Sequence, residues 1–448
     1  MVFVAGEPVT LRTFLPRPAD ARLVQPMIQV AILPTLSMQK FFDWWERGVF
    51  AALCLSIFLL GVGRIEMVLW DRNMSAWSVS RTTLGFWVIL KILVLSRHGW
   101  PKTSQASLLP LVPLVSFFAV VTISLFPDFH SLGDYRYLAF AVAHAVMIID
   151  IFACPSRQRW LLRIMAVSPA VFVVRGLIDD PEIFKFVLAH RFDYPLDHAN
   201  TAGYLLAMSV PLCLFVALSE RGWWRWLAVI SSLAQILALI LSYSRGAWFG
   251  WSAAMIFHGV VTKQWKYLLI TLVIATACVT TLPSLGQRVY SVIRPSEDPS
   301  ISERLQVLKG AIRLGMDHPL LGIGYGRGRL KQELRRNYQD TFHEGVPIWH
   351  AHNVYGELFA ETGLLGLGAF LWLILSTLYR LLRSALSKPS PERIVGVTIA
   401  ASWSAAAVAG FSDIPFYHHE PRIFFFSLFA LAFLYYRQAN INSRAIGH

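Results

Sequence analysis

Apolar blocks of about 17–25 residues recur along the chain, with polar segments between them. Blocks of this length can cross a bilayer as α-helices, because each residue adds about 1.5 Å along the helix axis. They lie near residues 48–70, 79–96, 106–126, 136–154, 160–178, 199–218, 225–242, 246–262, 266–283, 353–379, 394–411 and 421–437. The pattern predicts an all-α polytopic membrane protein with about twelve transmembrane helices.

One tight polar segment, Ser242-Tyr243-Ser244-Arg245-Gly246, separates two neighbouring blocks. The two blocks together are far too long for a single crossing. The segment is therefore predicted to be a turn at a membrane surface.

The other interruption is a long polar stretch, which we expect to form a helical lid between transmembrane helices 9 and 10. The chain then divides into an N-terminal leader (1–47), helices 1–9 (48–283), an outer helical loop (284–352), helices 10–12 (353–437) and a C-terminal tail (438–448). Within the leader, the short apolar run Met27–Leu33 should stop at Pro34.

Local signals predict helices inside the long polar stretch. Ser300 and Glu303 have the spacing of a capping box, with Ser300 as the N-cap. Pro319 should end that helix near Asp317. A glycine-rich loop follows, and a strongly basic helix is predicted over residues 329–338.

Composition excludes a soluble globular protein, since 55% of the 448 residues are hydrophobic and 15% are charged, against roughly 25% in soluble domains. Mean hydropathy is +0.51. The net charge of +13 reflects in part the Lys and Arg that cytoplasmic loops collect. The rest can face lipid headgroups or a phosphorylated substrate. No nucleic-acid-binding motif is visible, so we expect no nucleic-acid partner.

The loops between blocks alternate in charge, which predicts their orientation. One set is basic: Arg97, Lys102, Arg157, Arg159, Arg163, Arg221, Arg225, Lys263, Lys266, Arg380, Arg383, Lys388 and Arg393. The other carries the acids: Asp71, Asp128, Asp134, Asp179, Asp180, Glu182, Asp193, Asp197, Asp413 and Glu420. The positive-inside rule places the first set and both termini in the cytoplasm, and the long polar stretch outside.

His352 is the leading candidate for a catalytic base. Histidine titrates near neutral pH, and a neutral imidazole could take a proton from a sugar hydroxyl. His352 stands with Asn353 where the tenth membrane helix should begin. The alternative is a polar pair that caps this helix, with Asn353 as the N-cap. Glu357, about one turn further along, could orient His352 or compete with it.

Arginines are the candidate phosphate ligands, because guanidinium presents a fixed fork of donors and stays charged. Arg304 lies in the first turn of the predicted lid helix, Arg191 in an outer loop and Arg245 in the turn between two blocks. Each could instead be a surface arginine or a headgroup contact. Arg313 and Arg329 belong to the basic lid and could help to bind a diphosphate.

His198 and Asn200 open the sixth block and could line a substrate path at its outer mouth, or only allow close helix packing. The glycines from Gly322 to Gly326 lack a Walker lysine and a preceding strand, so they predict a bend and no nucleotide site. The acids are scattered, and the four cysteines show no metal spacing. The sequence therefore predicts neither a metal site nor a cofactor.

Four segments together resemble the O-antigen ligase and O-antigen polymerase superfamily of bacterial envelope glycosyltransferases. The segments are His198-Ala199-Asn200, Ser242–Trp248, Glu303-Arg304-Leu305 with the following 318–324, and Ala351-His352-Asn353 continuing to 361–366. The resemblance covers roughly residues 190–370. It rests on the order and spacing of these segments and on a large outer loop late in the chain.

The resemblance implies transfer of glycan from an undecaprenyl-diphosphate carrier at the periplasmic face of the inner membrane. In the ligase branch the acceptor is the lipid A–core oligosaccharide. The reaction would be inverting and metal-independent, with His352 as the essential histidine and Arg304 and Arg245 as the essential arginines. Arg191 joins them on position and charge.

Other functions remain open from the sequence. An O-antigen polymerase or a protein O-oligosaccharyltransferase of the same superfamily would share these segments. A transporter or flippase for lipid-linked glycan is a different class, but no inverted repeat of the kind that typifies such proteins is evident. A pure scaffold would not need histidines and arginines gathered from separate segments.

Overall fold

The computed structural model describes most of the chain. The described residues are 2–4, 7–9, 21–60, 64–69, 72–98, 108–126, 132–185, 191–193, 196, 198–281, 286, 290, 294, 298–338, 342, 346, 348–388, 390–414 and 417–446. Of the charged loop residues named above, Asp71, Lys102, Asp128 and Asp197 lie outside them.

Fourteen helices make up nearly all of the described structure, with two short antiparallel hairpins near the N-terminus. The hairpins are β1 (Val2–Val4) with β2 (Glu7–Val9) and β3 (Arg64–Leu69) with β4 (Arg72–Ser75). The helices are α1 (Ala21–Leu60), α2 (Ala76–His98), α3 (Val112–Ser124), α4 (Leu132–Ile151), α5 (Pro155–Asp179), α6 (Ala199–Ser219), α7 (Trp223–Leu241), α8 (Arg245–Thr262), α9 (Lys266–Thr281), α10 (Pro299–Asp317), α11 (Arg327–Asn337), α12 (Val354–Leu386), α13 (Ser390–Ala409) and α14 (His419–Ile446). Single 3₁₀ turns lie at Leu109–Leu111 and Pro181–Lys185.

Every apolar block found in the sequence coincides with one of these helices, which confirms the prediction of an all-α polytopic membrane protein. Within the described residues, six helices are long and apolar enough to cross a membrane. Ser242–Ser244 form the predicted turn between α7 and α8. The basic helix α11 and the end of α10 at Asp317 also agree with the local signals.

Three local predictions were wrong. The first block does not continue to residue 70, because α1 ends at Leu60 and a strand follows. Pro34 does not end the preceding apolar run, because α1 passes through it and membrane helices tolerate the loss of one backbone donor. The N-cap of α10 is Asp298, two residues before the predicted Ser300. Pro299 at the first helical position favours this earlier start.

Helix α6 is the centre of the bundle, since nearly all of its side chains are buried. It packs against α5, α7, α8 and α13, and α13 packs in turn on α8 and α12. Its small residues allow close approach, as a Cβ on Gly203 would lie 2.8 Å from that of Ala247 in α8. The first residues of α6 are thereby held beside the turn that precedes α8.

A break in α12 receives the glycine-rich loop that follows α10. Gly363 has φ +64° inside α12, and Gly322 has φ +64° in the loop, a backbone region that favours glycine. A Cβ on Gly363 would lie 2.3 Å from the carbonyl carbon of Leu320. The loop donates the amides of Ile323 and Gly324 to α12 carbonyls at 3.0 and 2.8 Å. The glycines between 322 and 326 therefore fasten α10 and α11 onto the bundle.

Candidate active site

Asp413 is the buried centre of a polar cluster between α13 and α14, with 3% of its surface exposed. Its Oδ2 accepts a hydrogen bond from Asn200 Nδ2 at 2.6 Å, and its Oδ1 accepts one from the amide of Ile414 at 2.9 Å. The same Oδ1 lies 3.5 Å from His350 Nε2 and 3.7 Å from His352 Nδ1. One carboxylate thus connects the start of α6 with the two histidines before α12.

Arg191 extends this arrangement to a third segment. Its Nη2 donates to Asn200 Oδ1 at 2.9 Å, and its Nε donates to the carbonyl of Ser242 at 2.9 Å. The amide of the next residue, Phe192, donates to the carbonyl of Leu241 at 2.9 Å. The loop before α6 is therefore held on the turn after α7, with its guanidinium in the cluster.

Arg304 reaches the cluster from α10. Its Nη1 donates to the carbonyl of Ser412 at 3.2 Å, directly before Asp413 in the chain. We use the name Asp413 cluster for the following residues: Arg191, Asn200, Arg304, His350, His352 and Asp413. It gathers side chains from segments that are far apart in sequence.

The charges of the cluster act strongly on Asp413. Burial alone would raise the pKa of its carboxyl, but His352 at its side and the charges of His350 and Arg304 outweigh burial, and the pKa lies well below its usual range. Asp413 is therefore ionised at neutral pH. A fixed negative charge beside an imidazole stabilises the imidazolium that forms when this ring accepts a proton.

The loop before α12 sets the orientation of the two histidines. Their ring centroids lie 4.0 Å apart at an interplanar angle of 87°. His352 has φ +50°, a left-handed conformation that is strained for a residue with a Cβ. Asn353 Oδ1 caps α12 by accepting the amides of Tyr355 and Gly356 at 3.0 and 2.9 Å. Asn353 therefore caps α12, while the imidazole of His352 lies beside Asp413 in the cluster.

Buried carboxylates support this loop from inside the bundle. Glu357 accepts a hydrogen bond from the amide of Ala351, between the two histidines. Glu361, one turn further along α12, accepts a hydrogen bond from the Tyr417 hydroxyl in the loop that also carries Asp413. Both glutamates are fully buried. They hold the two loops that carry His352 and Asp413.

Arg245 holds the start of α10 through an ion pair with Asp298. Its Nη1 lies 2.5 Å from Asp298 Oδ2, and Asp298 Oδ1 caps α10 by accepting the amide of Ser300 at 3.0 Å. This ion pair ties the first residue of α8, directly after the turn Ser242–Ser244, to the helix that carries Arg304. Tyr243 in this turn has φ +49°, so strained backbone occurs on this side of the site as well.

His198, the N-cap residue of α6, lies in the same charged surroundings. Desolvation lowers the pKa of its imidazole; Asp413 acts in the opposite direction, and Arg191 and Arg304 lower the pKa further. Its ring stacks at 6.0 Å from that of His418. His198 is therefore neutral near pH 7 and can act as a hydrogen-bond partner.

The last two candidates have their contacts in the lid region. The guanidinium of Arg313 lies over the Tyr338 ring at 5.4 Å from its centroid. Arg329 packs on the glycine-rich loop, where a Cβ on Gly324 would lie 2.5 Å from its Nη1. Their role in binding substrate stays a prediction.

Asp413 and His350 were not singled out as site residues from the sequence. Asp413 was counted only among the outer acids, although it is one of just two acids, with Glu420, in the short segment between the last two blocks. Together with His352 they offer three donor atoms within 4.8 Å of one another, a spacing that could hold a metal ion. The sequence contained no such spacing, because the three residues meet only through the fold.

The comparisons with known proteins bear on this region directly. Residues 229–371 match the family model described as O-antigen ligase. This match confirms the superfamily resemblance. Three of the four segments that carry the resemblance lie inside the matched residues, and His198-Ala199-Asn200 precedes them. No curated protein matches the chain. The family match and the apolar helices together indicate a multi-pass membrane protein with a region similar to O-antigen ligases.

Proposed function

We propose that the protein is an O-antigen ligase of the bacterial inner membrane. It transfers O-antigen glycan from undecaprenyl diphosphate to the lipid A–core oligosaccharide at the periplasmic face. The observation that carries the proposal is the Asp413 cluster, in which a candidate base, a fixed negative charge and two arginines converge at one end of the bundle. This combination suits attack by a hydroxyl on a sugar that leaves a diphosphate.

In the proposed reaction His352 removes the proton from the acceptor hydroxyl. The oxygen forms a bond to the anomeric carbon of the first donor sugar, on the face opposite the diphosphate. The bond between that carbon and the diphosphate oxygen breaks, so the configuration inverts. Asp413, 3.7 Å from His352 Nδ1, stabilises the imidazolium that results. The proton then passes to solvent, and the lipid diphosphate leaves.

The arginines take up the charge that develops on the leaving diphosphate. Arg191 and Arg304 are already held by backbone carbonyls, so little reorganisation is needed when the charge appears. Arg245, the first residue of α8, acts on the same charge. Asn200 holds Asp413 and Arg191 together within the cluster, His198 and Asn353 line the approach to it, and Arg313 and Arg329 help to attract the donor to the lid.

The reaction is expected to be independent of metal ions, although three residues have suitable spacing. Arg191 and Arg304 already supply positive charge, which opposes the binding of a further cation. Both Asp413 oxygens also accept protein hydrogen bonds. We expect purified protein to keep its full transfer rate after exhaustive chelation. A rate that falls on chelation and returns with an added divalent cation would assign these residues to a metal centre.

The function is tested by in vitro transfer with both classes of acceptor. Purified protein is given lipid-linked O-antigen with lipid A–core in one reaction and without it in another, and products are separated by gel electrophoresis. A ligase gives glycan attached to lipid A–core only in the first reaction. Elongation of the lipid-linked glycan in both reactions would identify a polymerase. Transfer to neither would overturn the proposal.

A further inference from the structure

A large cavity lies at the end of the bundle opposite the Asp413 cluster, with a volume of about 790 Å³. The cluster is formed where α6 and α12 begin and α13 ends. The cavity is lined where α5, α9 and α13 begin and α6 ends, and by the last part of α14. Helix α6 alone separates the two regions by about 30 Å. The proposed reaction does not use this cavity.

The rim of the cavity is positively charged. Its lining includes four basic side chains and two carboxylates: Arg159, Arg221, Lys266, Lys388, Glu220 and Glu392. Glu220 forms an ion pair at 2.7 Å with Arg163, and Glu392 forms one at 3.2 Å with Lys388. Both carboxylates are thus already neutralised, and the charge that remains at the rim favours an anion.

Below the rim the lining is hydrocarbon. Leu162 of α5, Phe215 of α6, Val395 and Ile399 of α13 and Leu431 of α14 form this floor. Ile399 follows Glu392 by two helical turns, which is about 10 Å deeper along the helix. A soluble anion would leave this apolar part of the cavity unused.

We propose that this cavity binds an anionic glycerophospholipid. The headgroup phosphate lies at the rim, near Arg159, Arg221 and Lys266, and an acyl chain lies against the apolar floor. Basic pockets between membrane helices are suited to such headgroups, since each nearby Lys or Arg contributes about 1 kcal/mol of attraction. The bound lipid would join the ends of α5, α6, α9, α13 and α14. Lipid binding at this cavity is separate from the proposed glycan transfer and does not depend on it.

Binding is measured on purified, delipidated full-length protein. Dioleoyl phosphatidylglycerol and dioleoyl phosphatidylcholine are titrated separately, and bound lipid is counted by native mass spectrometry. We expect phosphatidylglycerol to bind about tenfold more tightly or better, and to raise the midpoint of thermal unfolding. Excess inorganic phosphate should not displace it. Equal binding of the two lipids, or displacement by phosphate alone, would overturn the proposal.

A pair of double variants locates the site. Arg159→Gln with Arg221→Gln removes two exposed rim charges and is expected to weaken phosphatidylglycerol binding by about tenfold or more. Arg225→Gln with Arg383→Gln removes the same charge from exposed positions at the same end of the bundle, outside the cavity. This control should bind as the wild type does. Equal losses in the two double variants would reduce the effect to general attraction between the basic surface and the lipid.

Discussion

Replacing His352 with asparagine is expected to reduce glycan transfer by about 10²–10⁴-fold while the protein stays folded, because asparagine has no group to accept the proton. Asparagine is the informative substitution because His352 has φ +50°, and asparagine tolerates this conformation better than most residues. The loop before α12 should therefore keep its shape. The rate is measured by transfer to lipid A–core, and the fold by thermal unfolding.

A matched control is His318→Asn at the end of α10. His318 is exposed, and its hydrogen bonds in the fold are made by its backbone: its amide donates to the carbonyl of Leu314 at 3.1 Å, and its carbonyl accepts the amide of Gly322 at 3.0 Å. This variant should transfer glycan at the wild-type rate. If His352→Asn did so too, His352 could not be the base. A variant that lost transfer together with thermal stability would indicate a structural role for the ring.

The helices of this protein could be predicted because each is specified by its own residues. An apolar block must become a helix in a bilayer, where no water satisfies its backbone groups. The cap at Asn353 and the end of α10 at Asp317 follow from equally local rules. The N-cap of α10 was misplaced because Asp298 and Ser300 are both good caps, and the ion pair of Asp298 with Arg245 favours the earlier one.

The site could be predicted only in part, because its geometry depends on pairs far apart in the chain. His352 and three arginines could be predicted as candidate catalytic residues, because they are ionisable side chains at predicted helix starts, turns and loops on the outer side. The place of Asp413 in the site depends on contacts such as the hydrogen bond from Asn200, which is 213 residues away in the chain. The close packing of the loop at Gly322 against the break in α12 at Gly363 also depends on residues far apart in the chain, since each glycine alone predicts only a bend. The sequence therefore indicates His352 and the arginines, whereas the carboxylate of Asp413 is recognisable only from the fold.

Asp413→Asn is expected to destabilise the fold as well as lower transfer. Asparagine keeps the shape of the side chain but removes the charge that His350, His352 and Arg304 face. Loss of one partner from a buried charge network costs about 3–5 kcal/mol of unfolding free energy. Asp179→Asn is the control, because its ion pair with Arg175 is partly exposed and contributes about 1 kcal/mol at most. The 16 tryptophans give a fluorescence signal for thermal unfolding.

The pH dependence separates the charge of Asp413 from its shape. The pKa of the Asp413 carboxyl is lower in the folded state than in the unfolded state, where it is about 3.9. The ionised carboxylate therefore stabilises the fold at every pH above about 3.9, and this stability is lost as the pH falls from there toward the pKa of the folded state. The difference in unfolding midpoint between wild type and Asp413→Asn should therefore be present at every pH above about 4 and narrow below about pH 4. A difference that persisted unchanged into acid would assign the effect to packing.

Transfer at pH 7 should fall by about 10²-fold or more in Asp413→Asn, because the imidazolium of His352 loses its counter-charge.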